Sequence, residues 1–162
     1  MVDPTSGWFI TLQKYYNNKL LLRSPVDRSP YWETPLPPAN VSYRLTSYGI
    51  NNFLDSDLCP WGGPYKKITQ VRASSKTVHF LIMAYTGDFA VADHPHVENW
   101  VGLNKPAQAA KNVQINAYDA RGPINTRSRS GYAFLDGHAE ILRFSDVFTD
   151  LNRNQFDPAL AQ

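Results

Sequence analysis

Residues 131–144, GYAFLDGHAEILRF, decide how this chain reads. Residues 132–135 are aromatic and apolar, Asp136-Gly137 has the composition of a tight turn, and residues 139–144 are again largely apolar. Asp-Gly suits a two-residue type I′ turn, because both central positions need positive φ and glycine takes it without steric cost. Two antiparallel strands are therefore expected, 131–135 and 138–144, meeting at Asp136-Gly137. Backbone geometry alone accounts for that dipeptide, so the hairpin carries no function by itself.

Outward from the hairpin, size and composition narrow the alternatives. A chain of 162 residues fits one domain with a substantial core, and nine Tyr, eight Phe and four Trp supply its bulk. Twelve Pro and nine Gly point to many turns and irregular connections, not a helical bundle. A net charge of +2 without a run of Lys or Arg argues against a nucleic-acid partner. Cys59 is the only cysteine, which excludes an intrachain disulfide and a cysteine-rich zinc site. No apolar run approaches the roughly 18 residues of a membrane span, and MVDPTSGW is not a signal peptide. The chain as it stands reads as soluble.

Residues 6–18 form the best helix candidate, with Ser6 as N-cap and Trp8, Leu12, Tyr15 and Tyr16 on one core-facing stripe. Residues 24–40 carry five prolines and read as extended and irregular. Residues 41–50 alternate as a strand with Tyr43, Leu45 and Ser47 on one face, and residues 68–71 read as a short strand. Residues 77–84, TVHFLIMA, are the most apolar strand and the expected sheet centre, with His79 a core histidine. Residues 102–129 read as a long polar connection with an edge strand near 113–118. A single domain is expected over 1–144, followed by one helical turn after Ser145-Asp146 and a weakly ordered tail to residue 162.

Two clusters carry potential chemistry. Asp93, His94, His96 and Glu98 crowd one proline-containing loop, and imidazole with carboxylate is a ligand set for zinc or a similar ion. His138, beside the hairpin turn, is the natural extra ligand for Asp93, His94 and His96. Coordination needs three or four converging groups, however, and His-x-His fixes only two, so no metal or cofactor is assigned. The aromatics Tyr31, Trp32, Trp61 and Trp100 could stack on a glycan, although packing explains exposed aromatics more economically. No GxGxxG, P-loop, GxSxG or HExxH motif occurs, and the expectation is of a protein that is not an enzyme.

Tyr132-Ala133-Phe134-Leu135-Asp136-Gly137-His138, together with Tyr48-Gly49-Ile50-Asn51 and the TVHFLIMA strand before Ala92-Asp93-His94, resembles the globular part of bacterial type IV pilin-like proteins. These are the pseudopilins found in planctomycetes and verrucomicrobia, whose C-terminal signature is a His, nine residues, then Asp-Gly. The likeness runs from Trp8 to Phe144. It departs from the family pattern at Thr126, where the signature has His, and at Ser24-Pro25, where Cys-Pro is common. The family's hydrophobic N-terminal helix has no counterpart here, so membrane contact is expected only through such a helix outside this chain.

The resemblance implies an α+β pilin-like head, with an N-terminal helix packed on an antiparallel sheet, a C-terminal Asp-Gly hairpin and long irregular loops. Tyr132, Phe134, Asp136, Gly137 and His138 would then be structural signature residues. The implied role is a structural subunit, major or minor, of a type IV pilus-like or type II secretion-like assembly. Its partners would be other pilin-like subunits or secretion-system components, in the periplasm or at the cell surface. The alternatives are a cell-surface glycan-binding module and, behind it, a metal-dependent hydrolase.

Overall fold

The computed structural model describes residues 7–15, 22–36, 43–54, 65, 67–119 and 122–162. Helices and an antiparallel sheet coexist, as an α+β chain requires. The sheet runs β1 (Tyr48–Ile50), β2 (Val78–Ile82), β3 (Arg129–Phe134), β4 (Ala139–Arg143), each strand hydrogen-bonded to the next. β2 is interior, as its apolar run demands. A register shift between Val78 and Phe80 turns both Val78 and Leu81 toward the core, where strict alternation would have separated them.

The core face gathers Leu81, Met83, Tyr132 and Phe134 beneath Trp100, Phe144, Phe148 and Phe156. Trp100 lies at its middle, 5.1 Å from the Phe148 ring and 5.3 Å from the Phe156 ring, both edge-on as aromatic quadrupoles favour. On the opposite face α1 (Trp8–Leu12) sets the Trp8 ring 4.8 Å from Phe80.

The hairpin is present, but its turn differs from the expected type I′. Gly137 N–H donates to the Phe134 carbonyl and Phe134 N–H to the His138 carbonyl, which encloses a three-residue loop, Leu135 to Gly137. Gly137 sits at φ +96°, the conformation that closes such loops with a bulge, so only Gly137 is required to leave the ordinary region.

Several expectations are corrected. Among the described residues the N-terminal helix spans Trp8–Leu12 plus a 3₁₀ turn at Gln13–Tyr15, and it buries Phe9, whereas Leu12 and Tyr15 are exposed, Tyr15 at 74%. Gly7 offers no side-chain cap, Ile10 and Thr11 are weak helix formers, and the tighter turn rotates the stripe outward. Ser6 and Tyr16 lie outside the described residues. Residues 68–71 form a 3₁₀ turn, Ile68–Gln70, closed by Lys67 N–H on Gln70 Oε1. Within residues 102–129 there is a helix, α2 (Lys105–Ala109), capped by Asn104, whose side chain accepts from Ala107 N–H. Val113 makes only an isolated bridge to Met83 and sits in the core with Ile115.

The C-terminal residues are not an appendage. α3 (Phe144–Val147) leads into a small hairpin, β5 (Phe148–Asp150) with β6 (Arg153–Asn154), and Phe156 is 1% exposed. Val78 N–H donates to the Gln155 carbonyl at 2.8 Å, and Asn51 Nδ2 donates to the carbonyls of Val78 and Phe156, both at 2.7 Å. One buried amide thus ties the end of β1, the start of β2 and the C-terminal segment together. The packed unit continues past residue 144 because three phenylalanines beyond 143 have nowhere else to bury.

Candidate functional site

At the hairpin, alternation places Tyr132 and Phe134 in the core, where burial, with the Asp146 charge second, raises the Tyr132 phenol pKa and keeps it neutral. Around the turn, the His138 ring lies flat on Phe134, with centroids 4.4 Å apart and planes within 3°. Its Nδ1 is 2.6 Å from Asp136 Oδ1 and its Nε2 is 3.4 Å from Glu140 Oε1. Asp136 Oδ1 also accepts the His138 backbone N–H. These His138 hydrogen bonds, side chain before backbone, hold the Asp136 carboxyl below its usual range. The five signature residues therefore form one unit: two core anchors, a turn, and a histidine braced between carboxylates.

The Asp93–Glu98 loop resolves into two separate pairs. His94 Nδ1 is 2.8 Å from Asp93 Oδ1, and His96 Nδ1 is 2.7 Å from Glu98 Oε1, with the imidazoles edge-to-face at 5.2 Å. Glu98 Oε2 accepts from Asn52 Nδ2, and the Asp93 carbonyl accepts from Ile50 N–H, so the loop is laced to β1 and the turn after it. Each imidazole is committed to a near carboxylate. His138 is engaged at the hairpin turn with Asp136 and Glu140. Among the described residues no three His, Cys, Asp or Glu side chains converge as metal ligands.

Of the aromatics Tyr31, Trp32 and Trp100, the described members of the stacking set, Trp100 is withdrawn into the core. Trp100 is 1% exposed and its Nε1–H donates to Asn112 Oδ1 at 2.9 Å, which removes it from any surface role. Trp32 is half-buried, with the Arg23 guanidinium 5.1 Å from its ring. The half-buried Tyr31 uses its carbonyl to accept Arg44 N–H. Trp61 and Cys59 lie outside the described residues.

A polar centre that alternation concealed lies between residues 22–36 and β1. Tyr43 and Leu45 share one face, as expected, and that face is exposed, while Arg44, Thr46 and Ser47 are buried. Arg44 Nε donates to Asp27 Oδ2 at 2.7 Å, its Nη1 to the Ala84 and Ala90 carbonyls, and its Nη2 to those of Ser47 and Met83. Asp27 also accepts from Ser47 Oγ and Ser29 N–H. Burial lowers the Arg44 guanidinium from its usual value while Asp27 pulls it back up. The neighbouring Tyr85 phenol, pushed up to about 12 chiefly by burial, donates to the Val26 carbonyl. Every N–H of this guanidinium has an acceptor, which lets a full charge sit in the interior. The arrangement clamps loops to the sheet and leaves no donor for a substrate.

No protein-family model, no curated protein and no solved structure matches this chain. Among the described residues no helix is long and apolar enough to cross a membrane.

Proposed function

We propose that the chain is a pilin-like head acting by contact: a structural subunit, major or minor, of a type IV pilus-like or type II secretion-like assembly in the periplasm or at the cell surface. The observation that carries this reading is a short N-terminal helix laid on an antiparallel sheet through Trp8 and Phe80, with the Asp-Gly hairpin as the sheet's outer pair. The side chains most suggestive of chemistry support it too, because they are spent internally. His94, His96 and His138 each engage a carboxylate close in sequence, and Arg44 is saturated by carbonyls and Asp27. The glycan alternative loses Trp100 to the core, and the hydrolase alternative loses its converging ligands.

The test is fractionation of cells that produce the protein. Recovery with envelope membranes or with sheared extracellular material, cross-linked to other envelope proteins, is the expected result. Recovery solely as an uncross-linked cytosolic monomer would overturn the assignment.

A further inference from the structure

The β3–β4 hairpin is polarised along its length. At its tip Asp136 and Glu140 flank His138, so two exposed carboxylates outnumber the single imidazole whatever its protonation. At the other end, past the Arg129–Arg143 pair, the chain turns through Ser145, whose N–H donates to the Thr126 carbonyl. There a groove of about 370 Å³ opens between α2 and the α3–β5 segment. Leu103, Pro106 and Phe148 give it apolar walls, and Lys105 and Arg153 are its only charged lining residues. Among the described residues no carboxylate lies within ion-pair distance of either cation. Asp146 and Asp150, nearby in sequence, accept from the backbone amides of Arg143 and Asn152.

We infer that this groove receives the acidic hairpin tip of a second copy of the chain, in a head-to-tail contact. Three observations select that occupant. The charges are complementary: two groove cations with no carboxylate within ion-pair distance among the described residues, and two exposed carboxylates on the tip. Tip and groove lie about 20 Å apart along the strand, at opposite ends, so a copy that offers its tip still has its groove free. Exposed apolar side chains accompany both partners: Ile141 follows Glu140 in β4, and the fully exposed Leu103 lines the groove. A contact between two different patches repeats from copy to copy and builds an open row or a ring, whereas a self-complementary patch stops at a dimer. The inference rests on the contact-acting role proposed above and names its partner.

Sedimentation velocity on the full chain, at low salt and up to roughly millimolar concentration, tests the contact, since rim charges are weakened by salt. The wild type is expected to grow in mean mass with concentration. Glu140→Lys alone, or Lys105→Glu with Arg153→Glu, should weaken association at least about tenfold. Glu at position 105 begins α2, where a carboxylate suits the helix, and an unchanged melting temperature verifies folding of each variant. Mixing the two variants is the decisive arm. The intact tip of one meets the intact groove of the other, and growth should stop at a one-to-one pair. A wild type that stays monomeric overturns the inference, as does association that survives groove reversal, which would signal pairing of β4 edges instead. Either failure leaves the cellular location, and so the proposed function, to its own test.

Discussion

The β3–β4 hairpin and the Arg44 centre hold the sheet from opposite ends by opposite means. The hairpin is fixed by two apolar anchors, Tyr132 and Phe134, and by one glycine at φ +96°, while its polar residues face water. The Arg44 centre is polar at its middle, with the Trp32 and Tyr85 rings each 5.9 Å from the guanidinium. A buried guanidinium and a buried carboxylate hold two loops against β2 through carbonyl and hydroxyl groups. Apolar anchoring degrades gradually when atoms are removed, because each lost contact is small. A buried ion pair fails abruptly, because removing one partner strands the other's charge.

That contrast predicts its largest effect at Arg44. Arg44→Met should cost about 3–5 kcal/mol, since Asp27 is left charged and buried and several carbonyls lose their donor. Chemical denaturation of Arg44→Met against Arg44→Met with Asp27→Leu measures this. The double variant should recover part of the loss, and equal losses in both would show that the charge pair is not the cause.

At the hairpin the effect should be smaller and purely conformational. A Cβ built on Gly137 meets nothing within 4 Å, so any cost comes from its positive φ. Gly137→Val should lose about 1–3 kcal/mol and Gly137→Asn less, because Asn tolerates positive φ and a β-branched residue does not. Thermal melts of the two variants decide it, and an unchanged melting temperature for the valine variant would refute the turn geometry.

The smallest effects are in pH. Burial lowers the His79 pKa, so below its ordinary value near 6.5 the unfolded chain binds a proton that the folded chain resists. Stability is full above that pH and declines as pH falls toward the lowered value; His79→Gln should flatten that portion of the curve. Asp136, held low, contributes above the ordinary carboxylate range and loses its contribution as pH falls through its lowered value. Asp136→Asn should remove that second, more acidic component and leave the first intact.

The two regions also differ in how far the sequence reveals them. The hairpin was legible because burial there follows hydrophobicity with period two. β2 was legible for a related reason, an unbroken apolar run. In the stretch 43–47 the alternation of Tyr43 and Leu45 was legible, but which side faces inward was not, because burial there follows hydrogen bonding: Arg44 goes inside, Tyr43 and Leu45 go out, and nothing local marks Asp27 as the distant partner. α2 carried a local signal, Asn104 as N-cap with Pro106 in the first turn, which the polar surroundings obscured. The tail was misread because Phe148 and Phe156 are separated by turn residues, and only the fold reveals the Trp100 surface they cover. The loop histidines were visible as a cluster, but which way each imidazole turns is decided in space, by Asp93 and Glu98.

The most direct test of the contact-acting account is photo-cross-linking in cells that produce the protein, with the reactive group replacing Glu140 in one variant and Leu103 in another. The account predicts adducts to other envelope proteins from both positions, with Glu140 also reaching the groove of a second copy of this chain. If both positions return only the uncross-linked monomer, the domain is not held by neighbours at either end, and the pilin-like reading fails.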